Sequence, residues 1–138
     1  LGLKLAALRG RLAHRAISAG EAKGLGALRA WLDRCVVGAD GMLHVAGWVQ
    51  DLGQPAEPVC LDVMLDAAVV AFTVASEPRA DLAAAGVGHG RYGFDLGLNL
   101  QLALGVSHIV EVRRSADGAL VCANRVDVAG AWADLLVA

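Results

Sequence analysis

The chain has 138 residues, a net charge of −2 and 57% apolar residues, much of that Ala and Val, with only 4% aromatics. That length suits one domain with an appendage and is enough to bury a working core. The longest uncharged window, Leu96 to Val110, is broken by Asn99, Gln101, Ser107 and His108, and no apolar run approaches the ~18–20 residues of a membrane span.

Charge is unevenly placed. Residues 1–34 carry seven basic and two acidic residues, a net of +5, while the remainder carries five basic and twelve acidic, a net of −7. Such asymmetry fits a basic segment resting on the acidic domain behind it, or a tail that docks on an acidic surface elsewhere. Cys35, Cys60 and Cys122 are odd in number and lack C-x-x-C spacing. They make neither a disulfide framework nor a zinc knuckle, and read as buried thiols. Free thiols favour a cytoplasmic setting and leave association with the cell envelope open. The chain starts at Leu1 and reads as a fragment or a processed product. Its first twelve residues are too interrupted by Lys4, Arg9 and Arg11 to be a signal peptide.

Leu1, Leu5, Leu8 and Leu12 recur at helical spacing, with Lys4, Arg9, Arg11 and Arg15 mostly off that stripe, which predicts an amphipathic helix. Ser18-Ala19-Gly20-Glu21 matches a capping box. Leu25, Leu28, Leu32 and Cys35 continue a second stripe beside Trp31. Residues 1–38 are therefore expected to be a basic helical hairpin, its second half weakened by Gly20, Gly24 and Gly26. It needs a covering surface, either its own β domain or another chain. Contact with a membrane surface through residues 1–34 is compatible with this pattern. A solvated basic face explains it better than nucleic acid, since Trp31 is its only aromatic.

From Asp40-Gly41 onward the texture is short strands and turns. Met42–Val49 alternates as a first strand, Asp51–Pro58 is a loop, and Val59–Leu65 is a half-buried strand. Asp66-Ala67 turns into Val69–Ala75. Ser76 is expected to cap a short helix over Arg79–Ala85, with Glu77 and Pro78 in its first turn and Gly86 as a left-handed stop. Tyr92, Phe94, Leu96, Leu98 and Leu100 alternate with small and polar residues, the cleanest period of two in the chain. His108–Arg113 and Leu120–Asn124 flank an Asp117-Gly118 hairpin turn. Residues 39–130 thus read as an antiparallel β-sandwich, Ig-like or jelly-roll-like, with one short helix between strands and a tail at 131–138 packing Trp132, Leu135 and Leu136.

Catalytic sets do not emerge. Gly88-His89-Gly90-Arg91-Tyr92-Gly93 spells G-x-G-x-x-G, but a dinucleotide fingerprint follows a strand and opens a helix, and here the order is reversed. No two of His14, His44, His89 and His108 share a metal-ligand spacing, so neither metal nor cofactor is expected. His89, flanked by glycines, is the best-placed histidine for a binding role; His108 falls on the apolar phase of its strand. Cys60 and Cys122 lie within strands and there is no G-x-S-x-G. Asp62 and Asp95, on polar phases of different strands, are the only candidates for a carboxylate pair. Trp48, Tyr92, Trp31 and Trp132 are the aromatics that could stack a sugar, and Trp48 is the one to test.

Gly47-Trp48-Val49-Gln50-Asp51, the Asp66–Val70 turn, Arg79-Ala80-Asp81-Leu82-Ala83-Ala84-Ala85-Gly86 and Gly90-Arg91-Tyr92-Gly93-Phe94-Asp95 resemble a bacterial module. It is a β-sandwich accessory region appended to proteobacterial glycosyltransferases and to Hint-domain or secreted proteins. The likeness covers about residues 43–128 and implies the fold and a place in a glycan-handling protein. Tyr92 stands where that family usually has histidine, so nothing that depends on a histidine is carried over. Arg79, Asp81, Gly86 and Phe94 are expected to build the helix–loop corner, the first two through hydrogen bonds to loop backbone.

The function expected from these features is a non-catalytic interaction or assembly module that docks on a larger protein partner through its N-terminal helices. The alternative is a carbohydrate-binding accessory module taking a polysaccharide. Candidate binding residues are Trp48, His89, Arg91, Trp31, Arg9 and Arg11.

Overall fold

The computed structural model describes residues 25–128. Among them lie eight strands and one helix: β1 (Leu28–Val37), β2 (Leu43–Asp51), β3 (Val59–Leu65), β4 (Ala68–Ala75), β5 (Glu77–Pro78), α1 (Ala80–Ala84), β6 (Arg91–Leu98), β7 (Ser107–Arg114) and β8 (Leu120–Asp127). They form two antiparallel sheets, sheet A in the order β1-β2-β6-β5 and sheet B in the order β4-β3-β7-β8. The mainly β, two-layer architecture expected from the alternation is present.

The core lies between the layers. Alternate residues Leu43, Val45 and Val49 of β2 and Phe94 of β6 meet Leu61 and Val63 of β3, Val110 and Val112 of β7, and Val126 of β8. A side chain of this size contributes roughly 1.5–3 kcal/mol when fully buried, so a core of Val and Leu suffices with few aromatics. Gly47 interrupts that inward row for a reason. A Cβ there would stand 2.3 Å from the Trp31 carbonyl oxygen and 3.1 Å from Phe94 Cζ.

The second helix of the expected hairpin is replaced by a strand. Residues 28–37 pair with 51–43 as the outermost strand of sheet A, turning Leu28, Ala30, Leu32, Cys35 and Val37 toward the core. The cause is a bulge. Register slips between Leu32 and Arg34, leaving Asp33 as an extra residue, so Leu32 and Cys35, three apart, share a face. Combined with the four-residue step from Leu28 to Leu32, this reproduces the 3–4 spacing of a helix. The first helix, with Arg9 and Arg11, and the tail at 131–138 lie outside the described residues.

Two further local expectations are corrected. Glu77 and Pro78 form β5 against Gly93 and Arg91 rather than a helical first turn. The residue at the helix start is then Arg79, with no side-chain cap, rather than Ser76. Gly86 has φ +76, as a left-handed stop after α1 requires. No described helix is long and apolar enough to cross a membrane.

Candidate recognition face and the corner beside it

Cross-strand pairing puts Trp31 of β1 opposite Trp48 of β2, and Trp48 opposite Gly93 of β6. All three fall on the outward phase of sheet A. Trp31 is 66% exposed. Trp48 is half-buried against the small cluster of Leu82, Val87 and Tyr92, and the Arg29 guanidinium lies 5.8 Å from its ring centroid, within cation–π range. Two of the candidate binding residues are thus direct neighbours on a rigid surface.

The helix–loop corner borders this face. The Arg79 stem crosses Gly93, where a Cβ would meet its Cγ at 3.1 Å. Its head donates to both carboxylate oxygens of Asp81, at 3.0 and 2.8 Å, and to Asp33 Oδ2 at 2.5 Å. The hydrogen bonds expected from these side chains to loop backbone are therefore made instead with one another and with the bulged Asp33. It is the Arg79 backbone N–H that ties to the loop, donating to Gly90 O at 2.8 Å. Arg79, as hydrogen-bond donor, holds the Asp81 carboxyl below its ordinary range. Farther along, Arg34 lies 3.5 Å from Asp95. The face thus presents two indoles among ion pairs whose charges offset.

His89 serves the corner's architecture. Its Nδ1 accepts from Arg91 N–H at 3.1 Å and its Nε2 lies 3.0 Å from Ala56 O, which places the proton on Nε2. The ring stacks on Tyr92 with centroids 4.8 Å apart. Tyr92 Oη donates to Pro55 O at 2.5 Å and accepts from Gln50 Nε2 at 3.2 Å. Loops 52–58 and 86–90 are thereby pinned together. Gly88 makes room, since a Cβ there would lie 2.0 Å from Tyr92 Oη. Arg91 is exposed at the start of β6, opposite Pro78, and is not brought to the Trp pair.

The other polar candidates separate. Asp62 is buried on sheet B with Ser115 Oγ 2.6 Å away, while Asp95 is on the outward face of sheet A, so they form no carboxylate pair. His108 Nδ1 lies 2.6 Å from Asp66 Oδ2, and its buried Nε2 has no hydrogen-bond partner among the described residues. The core expectation for His108 is therefore half met.

One polar cluster joins residues outside the candidate set. Asp51 Oδ1 accepts from Gly26 N and Gly53 N, both at 2.8 Å, and Asp51 Oδ2 from Arg114 Nη1 at 3.0 Å. Arg114 also donates to Gly26 O at 2.8 Å and binds Asp117 through Nε and Nη2 at 2.8 and 2.7 Å. An open cleft of about 180 Å³ lies over this cluster, lined in part by Leu25, Glu57, Cys60 and Ala116. With Nε, Nη1 and Nη2 all engaged, Arg114 braces the fold rather than presenting charge to the cleft. The signal for this pair was legible, because Asp51 continues the inward phase Leu43-Val45-Gly47-Val49 and Arg114 the inward phase Val110-Val112.

Comparison with known proteins finds no family model that matches the chain, and no curated protein or solved structure that matches it significantly.

Proposed function

We propose that this chain is a non-catalytic interaction module whose recognition surface is the outward face of sheet A, centred on Trp31 and Trp48, and that its partner is a protein. The observation that carries this is Trp31, two-thirds exposed on a strand and side by side with a second tryptophan under Arg29. Burying an aromatic of this size is worth several kcal/mol, at about 25 cal/mol per Å². Trp and Arg are also the residues that most often dominate interface energetics. A sheet presents them already ordered, which lowers the entropic cost of binding.

The test compares the full chain with Trp31→Thr, a change that keeps a β-forming residue, as bait in extracts of the source organism. A captured protein must then bind the purified chain in calorimetry, and weaken at least about tenfold with Trp31→Thr, a ratio that corresponds to about 1.4 kcal/mol. Equal binding by both baits refutes the reading.

A glycan ligand is the second reading, favoured by the side-by-side indoles of Trp31 and Trp48 and by the resemblance to modules of glycan-handling proteins. A glycan array that stays blank for wild type, or signals unchanged in Trp48→Ala, counts against it.

A further inference from the structure

Two of the three thiols come together where the sandwich closes. β1 and β8 are end strands of separate sheets, and they run against one another with Cα atoms approaching within 8 Å. Cys35 of β1 pairs with Val45 of β2, and Cys122 of β8 with Val112 of β7. Both valines are core residues, so both thiols point into the space between the sheets. The bulge at Asp33 is what turns Cys35 inward, since an unbroken alternation would face it outward with Arg29 and Trp31.

The surroundings of each thiol carry the mark of the other strand. Asn124, two residues along β8 from Cys122, hydrogen-bonds to Cys35. Burial first, and the charge of Cys35 second, push the Cys122 thiol up to about 11; a like charge acts in this way only from close by. Cys35 is buried and Cys122 partly open to solvent, and both are free thiols. Cys60 is exposed and alternates out of the core beside Leu61, so it stands apart from the pair.

We propose that Cys35 and Cys122 are a latent disulfide site, whose bridge staples sheet A to sheet B along the β1–β8 seam. A bridge needs Cα atoms about 4.4–6.8 Å apart. No hydrogen-bonded ladder ties β1 to β8, so the two edges can settle at that distance without breaking backbone pairing. The oxidant is a small disulfide such as glutathione disulfide, acting by thiol–disulfide exchange. The more accessible Cys122 thiolate attacks it and expels one glutathione thiolate. The Cys35 thiolate then attacks Cys122 Sγ, forming the Cys35–Cys122 bond and expelling the second. The two cysteine protons end on two glutathione thiols, which also carry away the electron pair. With Cys122 near 11 few thiolates form at neutral pH, so exchange is slow and the thiols persist until such a donor is supplied. The inference is independent of the reading of sheet A.

The test incubates the folded full chain carrying Cys60→Ser, which removes the exposed third thiol, with glutathione disulfide. Trypsin cuts after Arg34, Arg79, Arg114 and Arg125, and mass spectrometry should find fragments 35–79 and 115–125 joined by a disulfide that dithiothreitol releases. By constraining the unfolded chain, the bridge should raise the melting temperature by at least about 5 °C over the reduced sample. Adding Cys122→Ser should abolish both the joined fragments and the dithiothreitol-sensitive rise. Wild type alkylated at Cys60 under native conditions gives the same readings without relying on the Cys60→Ser fold. Two thiols that stay free, glutathione adducts that persist at both positions, or a bridged product that melts no higher than the reduced one would each overturn the proposal.

Discussion

Arg114 of β7 and Asp51 of β2 form an ion pair that joins the two sheets, Nη1 to Oδ2 at 3.0 Å, with side chains 8% and 5% exposed. Removing one member of such a pair leaves a buried charge short of a partner, typically costing about 3–5 kcal/mol. Asp51→Ala also strips the acceptor from Gly26 and Gly53 N–H. Asp117 still holds Arg114, so a loss near 3 kcal/mol is expected in urea denaturation. A double variant, Asp51→Leu with Arg114→Met, should recover part of it, since it leaves no unpaired charge.

Asp117 links stability to pH. The Arg114 guanidinium, with the Ala119 N–H assisting, holds its carboxyl below the ordinary 3.8. A group whose folded value is depressed adds stability above its unfolded value, and that stability is lost as pH falls through the folded value. The melting temperature should therefore be level from neutral pH down to about pH 4 on Asp117's account and fall below it. Asp117→Asn should be less stable at pH 7 and show a shallower acid decline. An acid limb identical to wild type would refute this coupling.

The β3–β4 turn stores removable strain. Asp66 and Ala67 have φ of +49 and +69, the left-handed pair that a two-residue hairpin turn demands. Asp tolerates that region, and Asp66 accepts from Ile109 N–H at 2.9 Å; alanine has no such compensation. Ala67→Gly should stabilise the protein by about 0.5–1 kcal/mol, visible as a raised melting temperature. No change or a decrease would contradict the strain.

Gly88→Ala should act in the opposite direction. It places a Cβ 2.0 Å from Tyr92 Oη at a φ of +46, so Tyr92 must shift and surrender its bonds to Pro55 O and Gln50. Overpacking with backbone strain typically costs about 1–3 kcal/mol. Gly86→Ala has φ +76 but open space around it, and should cost less. Denaturation curves of the two variants separate steric from conformational effects.

The strand core from Leu43 onward was legible because a period of two runs along β2 and β6. Leu43-Val45-Val49 and Phe94-Leu96-Leu98 alternate cleanly, and Asp117-Gly118 marks its hairpin. β1 was not legible, because one bulged residue turns an alternation into 3–4 spacing, and sequence does not announce a bulge. Trp48 and Trp31 were singled out separately; the register that makes them neighbours is a tertiary fact. His89 is legible as a loop histidine between glycines and Tyr92 is its near neighbour in sequence, but its contact with Ala56 is made across the fold. The Asp51–Arg114 pair was hidden by reading Asp51 as the first residue of a loop instead of the last inward position of its strand.

The placement of β1 also sets where this polypeptide can be cut. A shortened version beginning at Ala39, ahead of the first clear alternation, would bare the β1-facing edge of β2 along its whole length. It would also take Gly26 away from the carboxylate and guanidinium it anchors. Supplying residues 25–38 as a separate peptide should restore the missing wall, giving a two-piece reconstitution broken between Gly38 and Ala39.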